Sequence, residues 1–239
     1  FIQYSGGDAR KLINSIELVL NQFKSAKKNK ISNKDVLSVL QENMALYDKN
    51  GEQHYDIISA FIKSMRGSDP NGAVYWLARM LVGGEDIKFI ARRMMILAAE
   101  DIGLANPNAL VIANNCFQAI NVIGNPEAKI ILSETAVYLA VSPKSNSTYN
   151  AINEAMAFVK KTGNLPVPLH LRNAPTKLMK NLDYGKDYQY AHSYEGNFVD
   201  LEFLPDEIKG TNFYNPANNS TEKKIREQLK EKWGDKYKL

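Results

Sequence analysis

Cysteine is nearly absent from this chain of 239 residues: Cys116 stands alone. One thiol excludes an internal disulfide framework and suits a reducing compartment. Histidine is scarce too. His54, His170 and His192 lie far apart, none at ligand spacing from Cys116, so no zinc site is advertised. There is no apolar run of about 18 residues. No charged-then-apolar leader precedes the first helical pattern. The phosphate loop G-x-x-x-x-G-K-[ST] is missing; Gly6-Gly7 and Gly83-Gly84 lack both the lysine and a preceding strand. No Ser/His/Asp or Cys/His arrangement points to a nucleophile. The chain also starts at Phe1, inside what reads as a structured segment, so a piece of a longer protein is expected.

What is present is enough to bury one large core or two modest ones, with 44% apolar and 23% charged residues. The net charge of +4 is compatible with nucleic acid without demanding it. Ser5-Gly6-Gly7-Asp8-Ala9-Arg10 opens the chain. Asp8 is a good helix cap, and Arg10 falls in the first turn of the helix that follows. A cation there opposes the helix dipole unless an anion shares the site, which suggests an approaching phosphate. An ordinary solvated arginine is the plainer alternative.

The helix over 8–24 carries Leu12, Ile16, Val19, Leu20 and Phe23 on one stripe. The basic loop from Lys24 to Lys30 reads as a solvated connector, with a DNA contact as the alternative. Ser32 and Asp35 have capping-box spacing for a short helix. Asp48-Lys49-Asn50-Gly51 marks a domain boundary. From 53 to 163 the chain reads as stacked helices without two-residue alternation, so the fold class is all-α. Asn106-Pro107 and Asn125-Pro126 are read as N-cap and first helical residue of two of these helices.

After Leu165 prolines punctuate an extended segment, with a short helix from Lys177 to Leu182. Eight aromatics then fall between Tyr184 and Tyr214. An ordered wrap with one short hairpin is expected, its rings packed on the helices. A platform stacking unpaired bases is the sharper alternative. Thr221 to Trp233 forms a terminal amphipathic helix with Ile225, Leu229 and Trp233 on one stripe. Glu100-Asp101 is the only tempting carboxylate pair. It is expected to meet Arg92 or Arg93, or to cap the next helix. In Pro143-Lys144-Ser145-Asn146-Ser147, Ser and Asn are expected to cap the next helix; an anion at Lys144 is the alternative.

Several stretches together resemble one family. They are Gly7-Asp8-Ala9-Arg10, Ile90 to Arg93 continuing through Ala99 to Pro107, and Tyr138-Leu139-Ala140 through Pro143 to Asn146. Pro168 to Thr176, Tyr184-Gly185-Lys186 with Tyr188 and Tyr190, and Phe203-Leu204-Pro205 extend the match along the whole chain. The sequence resembles the C-terminal part of the replication-associated recombination protein A family, also called MgsA, whose eukaryotic counterpart is the Werner-helicase-interacting protein. These are AAA+ ATPases related to clamp loaders. Ala191, where the family usually has proline, and an asparagine-rich tail are mild departures.

The resemblance implies AAA+ lid helices over 1–50, a clamp-loader-like helical oligomerisation domain over 52–164, and an irregular aromatic-rich wrap with a terminal helix over 165–239. Arg10 falls on the family's sensor-2 arginine, and Gly7 and Asp8 would line the nucleotide beside it. ATP with Mg would be the cofactor of the full-length protein, and this piece alone should not hydrolyse it. A homotetramer, single-stranded or forked DNA, and replication proteins are the implied partners. A cytoplasmic, nucleoid-associated location is implied, with work in replication-fork maintenance, recombination and repair. A non-enzymatic DNA-binding or partner-binding scaffold is the alternative.

Overall fold

The computed structural model describes residues 1–5, 9–24, 30–46, 52–234 and 236–237. Among the described residues there is no strand. The all-α expectation therefore holds, and the hairpin expected in the aromatic region does not form. That region folds instead as irregular backbone with single 3-10 turns.

The chain divides into two compact units. One comprises Phe1–Ile102 and Pro107–Lys144, the other Gly103–Asn106 and Ser145–Leu239. In the first unit, α1 (Ile2–Ser5), α2 (Ala9–Lys24) and α3 (Asn33–Leu46) come first. Val19, Val39 and Leu40 are buried together, with Leu18, Phe23 and Val36 against them. The α3 entry is a reciprocal capping box. The Ser32 N–H and hydroxyl both donate to Asp35 Oδ2 (2.9 and 2.7 Å), and the Asp35 N–H donates back to Ser32 Oγ (3.3 Å).

A second, larger core in the same unit is built by α4 (Glu52–Arg66), α5 (Pro70–Val82), α6 (Ile87–Leu97), α7 (Asn108–Ile123) and α8 (Ala128–Val141). Phe61, Met65, Leu77, Met80, Ile90, Met94, Leu97, Leu132 and Leu139 are essentially inaccessible. Alanines at Ala109, Ala113, Ala136 and Ala140 let α7 and α8 approach closely. Cys116 is buried here, its thiol 3.9 Å from the Ile131 carbonyl, and burial pushes its pKa up. Residues 67–72 read as a turn in the sequence, yet α5 already starts at Pro70: the Asp69 carboxylate caps it, accepting from the Asn71 and Gly72 N–H groups at 3.0 Å.

The two Asn-Pro caps are not found. The cap position of α7 is Pro107 and that of α8 is Glu127, and neither has a side-chain cap bond. At α8 the first-turn donor is satisfied by the main chain, Ala128 N–H donating to the Gly124 carbonyl at 2.9 Å. Asn125-Pro126 is cis and lies in the turn before the helix.

The second unit contains α9 (Ser147–Thr162), the single-turn-scale α10 (Lys177–Asn181) and α11 (Ser220–Trp233). Gly163 ends α9 at φ +73°, as its sequence position suggests. The rings of Phe198, Phe203 and Tyr237 meet Trp233 edge-on, with centroids 4.9, 6.1 and 5.7 Å away. Lys236 lies 4.4 Å over the indole and its amine also reaches Glu202 (3.4 Å). Packing within the unit thus absorbs part of the aromatic set. Tyr188, Tyr190, Tyr194 and Phe203 remain exposed at 46–60%.

Candidate functional site

The stretch singled out for phosphate contact is only partly described. Gly7 and Asp8 lie outside the described residues. Arg10 lies in the first turn of α2, and the described part of it is its backbone. That first turn contains no acidic residue. Lys11 follows Arg10 in that turn, so its two ionisable residues are both cationic by sequence. Among the described residues no group of three or more His, Cys, Asp or Glu is placed to hold a metal ion.

The two motifs without an evident role prove to be polar joints. α6 runs into a π-helical segment, Ala98–Ile102, which carries Glu100 and Asp101. These carboxylates do not meet Arg92 or Arg93, because Arg66 at the end of α4 reaches them instead. Arg66 Nε donates to Asp101 Oδ1 at 2.6 Å, and its Nη2 lies 3.6 Å from Glu100. Arg92 is taken by Asp86, at 3.7 Å. The π turn shifts the register of the helix end, so the side-chain directions of a regular helix do not apply there. Asp101 Oδ2 is buried without a hydrogen-bond partner.

Lys144 completes this joint. Its ammonium donates to the carbonyls of Leu139 (3.2 Å), Ala140 (2.8 Å) and Ser142 (2.6 Å), and to Ser68 Oγ (3.2 Å). These are the terminal carbonyls of α8 and a hydroxyl in the α4–α5 turn. The lysine therefore caps a helix C-terminus instead of awaiting an anion. Burial lowers its pKa, and the nearby Asp101 charge pulls in the opposite direction.

The second joint lies in the other unit. Glu222 in the first turn of α11 is fully buried. Its Oε1 accepts from the Ser147 hydroxyl at 2.5 Å and from the Tyr214 hydroxyl at 3.2 Å. Its Oε2 accepts from Asn219 Nδ2 at 2.5 Å, and the Glu222 N–H donates back to Asn219 Oδ1 at 2.9 Å. Ser145 Oγ donates to Ser147 Oγ (3.1 Å). Burial pushes the Glu222 carboxyl up, but hydrogen bonds from Ser145, Ser147, Asn219 and the Ala217 N–H leave it below its ordinary range. Tyr214 is pushed up to about 12, by burial first and then by the Glu222 charge.

Asn146, expected as a cap, makes no side-chain cap bond to α9; Ser145 Oγ accepts the Ser147 N–H instead (3.3 Å). Reading the sequence missed Glu222 altogether. The available signal was Asn219-Ser220-Thr221-Glu222, an N-cap followed three residues later by glutamate. Gly103 belongs to the same unit. It sits at φ +48°, and a Cβ there would press to 3.0 Å from the Ser145 carbonyl.

The comparisons with known proteins bear out the family resemblance. The family described as "MgsA AAA+ ATPase C terminal" matches residues 67–233, and "AAA C-terminal domain" matches residues 1–66. Replication-associated recombination protein A of Coxiella burnetii is 44% identical over 231 residues, covering 95% of this chain and 52% of that protein. The Escherichia coli K12 protein of the same name is 38% identical, covering 93% of this chain and 51% of its own length. ATPase WRNIP1 of Dictyostelium discoideum is 38% identical over 230 residues, covering 89% of this chain and 26% of that protein. The chain thus spans about half the length of the bacterial relatives, or less of the eukaryotic one. With both profiles in order along it, the chain belongs to the replication-associated recombination protein A (MgsA) family of AAA+ ATPases, over the C-terminal part that these relatives share.

Proposed function

We propose that this chain is the lid and oligomerisation region of a DNA-dependent AAA+ ATPase that acts in replication-fork maintenance, recombination and repair. Residues 1–50 are the helical lid, 52–164 the helical oligomerisation domain, and 165–239 the aromatic-rich wrap and terminal helix. The whole protein works in the cytoplasm, on DNA, as a homotetramer.

The observation that carries this reading is Arg10 in the acid-free first turn of α2, within a stretch matching an AAA C-terminal domain. Bound Mg-ATP would supply a γ-phosphoryl group whose negative charge, spread over its outer oxygens, a cation of the lid could hold. Arg10 would be the residue of this chain that holds that phosphate, with Gly7 and Asp8 lining the approach. A guanidinium presents paired N–H donors to phosphate, and the helix N-terminus adds its own positive end. The same contact would couple the position of the lid to the state of the nucleotide.

The test is Arg10→Ala in the whole protein. ATP turnover should fall at least about tenfold, since a donor to developing phosphate charge is removed. The thermal melting curve should stay unchanged. Undiminished turnover in a folded variant would refute the sensor role.

A further inference from the structure

Part of the aromatic region is left about half exposed within its unit. Tyr188, Tyr190 and Tyr194 are 50%, 60% and 46% exposed, whereas Phe198 and Phe213 find ring partners at Trp233 and Phe158. The exposed rings sit on an anchored loop. Tyr184 N–H donates to the Met179 carbonyl (3.1 Å), and Gly185 N–H donates to the Leu169 carbonyl (2.9 Å). Arg172 clamps the same turn: its Nη1 reaches the Tyr184 hydroxyl (3.1 Å) and its guanidinium lies 5.0 Å over that ring. Tyr190 and His192 bring their rings to 5.2 Å.

We infer that Tyr188, Tyr190 and Tyr194, with Lys177 and Lys180, form a binding surface for single-stranded nucleic acid. This rests on the proposed reading that the whole protein works on DNA. The chemistry favours a single strand over a duplex. Unpaired bases offer faces for stacking, whereas a duplex keeps its base faces inside the stack and presents only backbone and groove edges.

Charge contributes little here, since the exposed Asp187 and Glu195 stand beside Tyr188 and Tyr194. Lys177 and Lys180 are exposed and pair with no carboxylate among the described residues. Asp183, on the intervening turn, is answered by Lys186 at 3.1 Å. Between residues 170 and 195 there are four lysines and arginines against three carboxylates. The surface is therefore aromatic first and cationic second. Its affinity should come mainly from stacking, with a shallow salt dependence.

The test uses the whole protein and a fluorescein-labelled oligothymidine, followed by anisotropy over a range of salt. The wild type should bind it. Tyr188→Ala with Tyr190→Ala should weaken binding about tenfold or more, in line with the loss of base stacking. Both rings are exposed, so the fold should survive. The corresponding Phe pair should bind as the wild type does. Lys177→Gln with Lys180→Gln should flatten the salt slope by roughly 0.7 per lysine removed.

Equal binding by the alanine pair would overturn the surface while leaving DNA dependence intact. No binding by the wild type would overturn both this surface and the DNA part of the proposed function. The Arg10 measurement of ATP turnover is independent of either outcome.

Discussion

Glu222 shows how one side chain can hold a fold together while remaining hard to see in a sequence. A fully buried carboxylate is tolerated only when its lone pairs are satisfied, and here Ser147, Tyr214 and Asn219 supply the donors. Its folded pKa lies below the ordinary glutamate value, so the folded state favours the ionised form. The sign follows from that. The stabilisation is fully present above the unfolded-state pKa, near neutral pH, and is lost as pH falls through the depressed folded pKa. Acid titration of the wild type should thus show a loss of stability that a Glu222→Gln variant lacks. At neutral pH, Glu222→Ala leaves three donors without their acceptor and should cost about 2–3 kcal/mol. Chemical denaturation at pH 7 and pH 4 would check both points. Identical pH profiles for wild type and Glu222→Gln would remove the carboxylate from this role. Tyr214, with its pKa at about 12, stays neutral throughout and cannot produce the acid effect.

At the scale of elements, Lys144 closes the helix before its motif, where the sequence suggested a cap for the helix after it or an anion at the lysine. Its ammonium gathers three carbonyls from the end of α8 and the Ser68 hydroxyl beyond α4. Lys144→Met keeps the aliphatic stem and removes only the donors. We expect a loss of about 2 kcal/mol, from orphaned helix-end carbonyls. Differential scanning calorimetry should show a lower Tm, and an unchanged Tm would argue that water replaces the amine at no cost.

The helices themselves were legible. The stripes Ile90, Met94, Leu97 and Phe61, Met65 are buried as their spacing demands. The Ser32–Asp35 box and the Gly163 stop were legible for the same reason, since each is a local rule. Arg66 with Asp101 and Ser147 with Glu222 were not. They join residues 35 and 75 positions apart in sequence, and no local pattern announces such a pair. The π turn at Ala98–Ile102 added to the miss by changing where Glu100 and Asp101 point. For Arg10, Gly7 and Asp8 the sequence remains the main source, because the feature that would define their role belongs to a nucleotide.

At the scale of the whole molecule, the proposed tetramer needs an apolar surface left uncovered by the fold of one chain. α9 offers one in its own unit. Tyr149, Ile152, Met156 and Val159 are each about half exposed and recur at three- and four-residue spacing, so they form a continuous stripe. The inward-facing residues Ala151, Ala155 and Phe158 are a different set, partly covered within the unit. A helix with apolar residues on both its covered and its open face is suited to an assembly. Light scattering on the whole protein at micromolar concentration should give four times the chain mass. Ile152→Asp with Met156→Asp places two charges in the stripe and should lower the assembled mass, while the helical circular dichroism signal is kept. A wild type that is strictly monomeric would refute the tetramer. A tetramer indifferent to these two charges would keep the assembly and move its interface away from α9.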